Sequence, residues 1–109
     1  METEETKRPE TKVKLTDTFF KTAKVIPGKQ RTIFWDTEET GFGLMVTAQG
    51  AKSYIVQYRN AGRQSRRMKI KDVRGAKAAR QIAKSLFGEV ANRRDPLAER
   101  RKAEAKATN

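Results

Sequence analysis

Three short segments in the middle of the chain alternate between apolar and polar residues, and turn-forming residues such as Gly50 and Gly62 separate them. A two-residue period is typical of β-strands, and turns this short can join only antiparallel neighbours. We therefore predict a three-stranded antiparallel sheet formed by residues 44–47, 54–59 and 66–71. Residues 33–35 would add a small extra edge strand.

The alternation also divides the side chains of this sheet between two faces. The predicted core face is apolar and consists of Leu44, Val46, Tyr54, Val56, Tyr58, Met68 and Ile70. The opposite face is mainly polar and basic and consists of Met45, Thr47, Ile55, Gln57, Arg59, Arg67, Lys69 and Lys71.

Two helices complete the predicted α+β fold. Thr16 is a suitable N-cap for a short helix over residues 17–24, which Pro27 and Gly28 would follow. After Gly75, apolar residues recur at helical spacing and predict an amphipathic helix of about 15 to 20 residues that covers the apolar sheet face. We expect the aromatic residues, Trp35 included, to lie in the core, because so short a chain needs them there.

The ends of the chain have a different composition. Residues 1–13 are polar and without an apolar period, which predicts a disordered leader. The domain itself should occupy residues 14–95. Residues 96–109 have helix-forming composition but almost no apolar face, and we expect them to be a frayed linker toward further domains.

Charge and residue content restrict the function. The chain carries 25 Lys and Arg against 13 Asp and Glu, for a net charge of +12, and it contains neither Cys nor His. These features favour a polyanionic ligand and argue against a cofactor, a metal site or most enzyme mechanisms. Without an apolar segment long enough for a bilayer, we expect a cytoplasmic protein that does not contact membranes.

The polar sheet face is the strongest functional signal. Between Leu44 and Lys71 the sequence contains no Asp or Glu, whereas a merely solvated face would carry both signs. A two- or three-stranded ribbon fits the major groove of B-DNA, where Arg and Gln can read base edges. Carboxylates occur instead at Asp36, Glu38 and Glu39, in a turn where a structural role is favoured over acid–base catalysis.

Several short motifs, in this order, resemble the N-terminal DNA-binding domain of phage and genomic-island integrases, which are tyrosine recombinases. The resemblance covers about residues 14–101 and rests on Leu15-Thr16-Asp17-Thr18, Phe34-Trp35-Asp36, Gly41-Phe42-Gly43-Leu44-Met45-Val46-Thr47, Gly50-Ala51-Lys52-Ser53-Tyr54, Gln57-Tyr58-Arg59, Arg66-Arg67-Met68, Ala79-Arg80 and Asp95-Pro96-Leu97-Ala98-Glu99-Arg100-Arg101.

This resemblance implies a domain that binds arm-type DNA sites through a three-stranded sheet in the major groove, in the bacterial cytoplasm at the nucleoid. The catalytic tyrosine, arginines and histidine of such a recombinase would belong to a separate domain, so this chain alone would not be an enzyme. Family members often carry Arg where this chain has Met45, and usually have a longer segment where it has residues 71–74.

We assign DNA contacts accordingly. Gln57, Arg59, Arg67 and Lys69 are the predicted base readers. The predicted phosphate contacts are Lys52, Ser53, Arg63, Arg66 and Lys71, and Thr47 on the polar sheet face is a further predicted DNA contact. The partner would be duplex DNA rather than a small molecule, with the chain monomeric alone and assembling with other recombinase subunits on DNA.

Two alternatives remain open at this point. An RNA-binding module would also use a basic sheet, although the predicted face has no aromatic pair on which unpaired bases could stack. A protein-interaction domain could dock recombinase subunits through Ile55 and Met45, which the alternation places together as an exposed apolar pair on the basic face.

Overall fold

A computed structural model describes residues 11–107 and contains a sheet of five strands in the order β1-β2-β3-β4-β5. The strands are β1 (Lys12–Val13), β2 (Arg31–Asp36), β3 (Phe42–Thr47), β4 (Lys52–Arg59) and β5 (Ser65–Lys69). Strand β1 runs parallel to β2, and the other neighbours are antiparallel. The α+β class and the β3–β4–β5 meander are as expected. The sheet, however, has five strands rather than the predicted three.

Strand β2 is a full member of the sheet rather than a small edge strand. It pairs with β3 over five residue pairs, from Arg31 opposite Thr47 to Trp35 opposite Gly43. Its side chains alternate between the core, where Thr32 and Phe34 are buried, and the other face of the sheet. Because β2 contributes apolar side chains to both faces, it is stabilised as a central strand, and the two-residue β1 forms the edge.

Two helices pack on one face of this sheet. Helix α1 (Asp17–Thr22) begins at Thr16, whose hydroxyl oxygen accepts the backbone N–H of Phe19 at 3.0 Å. Helix α2 (Ala76–Ala91) places Ala79 and Ala83, both fully buried, against the core face. All seven side chains predicted for the core face are buried, and together with Leu15, Phe34 and Phe42 they form the larger part of the core.

An ion pair joins α2 to the β1–β2 end of the sheet. The guanidinium group of Arg80 donates to both carboxylate oxygens of Asp36 at 2.9 Å and to the carbonyl oxygen of Leu15 at 2.8 Å. Burial raises the pKa of Asp36, but the bonds from Arg80 and from the backbone N–H groups of Leu15 and Glu39 outweigh burial and hold the pKa below its usual value. Asp36 is thus a structural residue.

The end of the described chain is helical. Helix α3 (Pro96–Ala107) follows a turn at residues 92–95, so the expectation of a frayed segment was wrong for this part. The helix carries no apolar stripe, and contacts at its first two turns hold it to the sheet. Of the expected leader, Lys12 and Val13 form β1, and residues 1–10 lie outside the described range.

Candidate nucleic-acid interface

The sheet has one face that the helices leave uncovered, here called the open face. Cross-strand partners share a face, so the register assigns its members strand by strand. They are Lys12 on β1, Arg31, Ile33 and Trp35 on β2, Gly43, Met45 and Thr47 on β3, Ser53, Ile55, Gln57 and Arg59 on β4, and Ser65, Arg67 and Lys69 on β5. None of these residues is acidic, and five are cationic.

Gln57 and Arg67 form the centre of the polar part of the open face. They are direct cross-strand partners, and the guanidinium group of Arg67 donates to the side-chain oxygen of Gln57 at 2.8 and 3.0 Å. This contact leaves the amide nitrogen of Gln57 and the far edge of the guanidinium group directed away from the pair. Two side chains that we predicted to read bases are therefore bonded to each other in the protein without a ligand.

Arg59 and Lys69 flank this pair on β4 and β5. Both are exposed, and Arg59 donates to the carbonyl oxygen of Arg63 at 3.2 Å. Arg63 itself lies in the β4–β5 turn with a positive φ of 65°, and its side chain is exposed. The structure therefore brings together Gln57, Arg59, Arg67 and Lys69, the four side chains that we predicted to read bases, with Arg63 beside them.

Thr47 and Ser53 lie at the opposite end of the open face. Thr47 accepts the backbone N–H of Ala51 at 3.1 Å and so closes the β3–β4 turn, while Ser53 pairs with Met45 across the strands. Gly50 in this turn has a φ of 93°, which other residues adopt only with strain. Both hydroxyl groups stand on the predicted face, and that of Thr47 also has a structural bond.

Two of the predicted phosphate contacts lie on the helix side of the sheet instead. The amino group of Lys52 donates to the carbonyl oxygens of Phe20 at 2.6 Å and Lys21 at 3.1 Å, and thereby caps the end of α1. Arg66 donates to Asp95 at 3.2 Å. Strand alternation predicts this side, because Lys52 is two residues before the core residue Tyr54 and Arg66 is two residues before the core residue Met68.

Lys71 lies beyond the end of β5, so it does not belong to the open face as predicted. Its amino group is 3.6 Å from a carboxylate oxygen of Glu104 on α3, and both side chains are largely exposed. The next residue, Asp72, has a φ of 56°, which ends the extended conformation. A phosphate could still replace this weak surface ion pair.

Sequence reasoning missed Arg31, because it limited the first strand to residues 33–35. Arg31 is exposed on the open face opposite Thr47, with its terminal nitrogen 4.0 Å from the sulfur atom of Met45. The signal that could have revealed it is the alternation itself, which extends from Arg31 through Ile33 to Trp35. Cations therefore stand on both sides of the open face, on β2 and on β4–β5.

Apolar side chains occupy the middle of the open face, and one of them contradicts an expectation. Ile55 has 0 % of its surface exposed, so it cannot form the exposed pair with Met45 that the protein-docking alternative required. Trp35, which we expected in the core, is half-buried on the open face above Gly43. A Cβ atom at Gly43 would lie 2.9 Å from the Trp35 ring, so Gly43 is needed for this packing.

Asp95 organises the corner where α3 begins. It accepts hydrogen bonds from the Tyr58 hydroxyl at 2.5 Å, from Asn60 at 2.8 Å and from Arg66 at 3.2 Å. Burial raises the pKa of Asp95, but these bonds and one from the N–H of Ala98 outweigh burial and hold the pKa far below its usual value. Burial and the neighbouring carboxylate raise the pKa of Tyr58 to about 12.

Residues 11–107 contain no group of three or more acidic side chains placed to hold a metal ion. In the same range, no helix combines the length and the apolar character that crossing a bilayer requires.

Comparison with known proteins relates the chain to a protein family. A family model described as an arm DNA-binding domain matches residues 15–103, which is most of the chain. No curated protein and no solved structure matches the chain significantly. The matched range includes β2 to β5, helices α1 and α2, the first part of α3, and every residue of the open face except Lys12.

Proposed function

The chain belongs to the arm DNA-binding domain family, the N-terminal arm-type domains of phage integrases, and on this premise we propose that it reads duplex DNA by sequence through its open face. In this proposal β3, β4 and β5 lie in the major groove. The parent protein would be a tyrosine recombinase in which other domains cut and rejoin DNA.

The observation that carries this proposal is the cross-strand pair of Gln57 and Arg67 on a face without carboxylates. Gln can bond the N6 and N7 positions of adenine, and Arg the O6 and N7 positions of guanine, so the two side chains supply the chemistry for both purines when they exchange their mutual bond for bonds to bases. A carboxylate nearby would repel the backbone phosphates, and the open face has none. The face is therefore suited to a duplex.

Phosphate contacts would come from the margins of the open face. Arg31 is exposed on β2, and Arg63 is exposed in the turn after β4, at the other side of the sheet. A ribbon seated in the major groove has a phosphate backbone along each margin, which these two cations would meet. Lys52 and Arg66 are assigned to the fold instead, since their cationic groups already bond to the α1 carbonyls and to Asp95.

The contacts at the start of α3 also suggest where the DNA-binding domain ends. We propose that the DNA-binding unit begins with β1 and continues to the Asp95 corner, and that α3 leads from this corner toward the remaining domains of the recombinase. The bonds of Tyr58 to Asp95 and to the N–H of Leu97 support this assignment, because they fix the start of α3 to β4. In this proposal the expected boundary at residue 95 is an ordered connection between β4 and α3, here called the joint.

Selection of bound sequences from a randomised duplex pool at near-physiological salt, with double-stranded RNA as competitor, tests the proposal. We expect a short common motif that RNA does not displace. Arg67→Ala should weaken binding of that motif, whereas Lys77→Ala, which removes an exposed cation from α2, should leave its sequence preference unchanged. Recovery of no motif, or displacement by RNA, would contradict a sequence-reading DNA domain.

A further inference from the structure

Four apolar residues lie next to one another in the middle of the open face and are here called the apolar strip. They are Ile33, Trp35, Met45 and Ile55. Ile33 is the cross-strand partner of Met45, and Trp35 and Ile55 are the partners of Gly43 from its two sides. The strip therefore crosses β2, β3 and β4 without a polar side chain between its members.

The strip is held in place by close packing. Gly43 leaves room for the Trp35 ring to lie on the sheet, since an added Cβ atom would be 2.9 Å from that ring and 3.1 Å from Ile33. Ile55 next to this site is wholly covered. Because Trp35 and Met45 remain half-buried rather than covered, the strip presents a firm apolar surface to whatever the open face binds.

The surroundings of the strip identify the partner. Arg31 stands on one side of it, and Gln57, Arg67 and Lys69 stand on the other, so the strip lies inside a cationic frame. A ligand that matches this pattern is a polyanion whose centre carries apolar groups. The major groove of DNA is such a surface, because each thymine places a C5-methyl group there between the two phosphate backbones.

We infer that the apolar strip reads thymine, with Met45 and Trp35 packing against thymine methyl groups while Gln57 and Arg67 bond neighbouring purines. This inference rests on the proposed function and adds to it a base class and a reason for preferring DNA. Uracil lacks the methyl group, so a surface that requires thymine methyls disfavours RNA as well as G·C-rich duplexes.

The test uses the selected duplex in two versions, one made with thymidine and the other with deoxyuridine, or the unselected pool in both versions if selection returns no motif. Uracil pairs with adenine as thymine does, so the versions differ in methyl groups alone. Burial of one such group contributes about 0.8 kcal/mol, and we therefore expect deoxyuridine to weaken binding about fourfold for each contacted methyl.

Variants then locate the contact on the chain. Met45→Gln keeps the length of the side chain but makes its end polar, so the difference between the two duplexes should shrink. Ile82→Ala removes an exposed apolar side chain from α2 and should leave that difference unchanged. Thermal unfolding of each variant confirms that the fold persists.

The outcomes separate this inference from the proposed function. Binding of both duplexes with equal affinity would overturn the thymine inference and leave the proposed function intact. A preference for thymidine that Met45→Gln does not reduce would also overturn it, because the methyl groups would then be read elsewhere. If neither duplex binds, both proposals fail.

Discussion

The hydroxyl group of Tyr58 on β4 donates a 2.5 Å hydrogen bond to Asp95 and accepts the backbone N–H of Leu97 at 2.9 Å. One phenol thus joins the strand that carries Gln57 and Arg59 to the first turn of α3. The direction in which α3 leaves the domain is consequently set by the sheet that forms the open face.

Removal of this hydroxyl group should loosen the joint. We expect Tyr58→Phe to lower the free energy of unfolding by about 1 to 3 kcal/mol, because it leaves the partly buried Asp95 with one donor fewer. Tyr54→Phe is the matched control, since the buried Tyr54 hydroxyl has no hydrogen-bond partner among residues 11–107 and its loss should cost nothing or stabilise slightly. Urea unfolding measures both, and equal effects would contradict the role assigned to Tyr58.

The Arg80–Asp36 pair should be a major determinant of stability. Arg80→Met leaves a fully buried carboxylate without its cation, and we expect a loss of about 3 to 5 kcal/mol. Thermal unfolding of Arg80→Met beside Lys84→Met, whose amino group is 4.0 Å from Glu39 in an exposed ion pair, measures the difference. A similar decrease in unfolding temperature for both variants would show that the buried pair contributes no more to stability than the surface pair.

Acid should destabilise the domain through two carboxylates. Asp36 and Asp95 both have pKa values below the usual 3.8, so they stay ionised in the folded state at pH values where the unfolded chain binds protons. Their contribution is complete above a pH of about 4 and declines as the pH falls below that value. Urea unfolding as a function of pH should show this decline, and a flatter decline in Asp95→Asn. Unchanged stability below pH 4 would contradict it.

Gly43 and Gly88 should respond to alanine in opposite ways. At Gly43 the added methyl group meets the Trp35 ring at 2.9 Å, whereas at Gly88 in α2 nothing lies within 4 Å. We expect Gly88→Ala to stabilise the domain by about 0.5 to 1 kcal/mol, and Gly43→Ala to destabilise it. The chain has a single tryptophan, so a fluorescence shift in Gly43→Ala alone would report the displaced ring. Unaltered emission in that variant would contradict the packing described for Trp35.

Lys52 and Arg63 should differ in what they support. Lys52→Ala removes the bonds to the α1 carbonyls and should lower stability by about 1 to 3 kcal/mol while leaving the salt dependence of DNA binding nearly unchanged. Arg63→Ala should leave stability unchanged but reduce the slope of log affinity against log salt by about one. A reduced slope for Lys52→Ala would return that residue to the phosphate contacts.

Much of the fold could be predicted from the sequence because its strands have a strict two-residue period. That period identified all seven core-face residues and the four predicted base readers. The same period also assigns Lys52 and Arg66 to the core face, whereas their positive charge suggested contacts with phosphates. Parity assigns a face whatever the charge, and a cation on the core face must find a partner such as Asp95.

Other features depend on contacts that no local pattern contains. The burial of Ile55 depends on its neighbours across the sheet, which are Gly43 on β3 and Lys69 on β5. Helix α3 has too little apolar surface to predict a stable helix. Its start is fixed by the bonds of Asp95 to Tyr58 and Asn60, which lie 37 and 35 residues earlier in the sequence. Strand β1 has only two residues and depends on pairing with β2.

Titration of the labelled protein with the selected duplex, followed by NMR, tests the central claim most directly. We predict that the largest changes fall on the open face, at the side-chain amide of Gln57, the Nε–H groups of Arg59 and Arg67, and the indole N–H of Trp35, while the exposed side of α2 around Lys77 and Ile82 stays unchanged. Changes concentrated on α1 or α2, with the Gln57 and Arg67 signals unmoved, would contradict the assignment of DNA binding to the sheet.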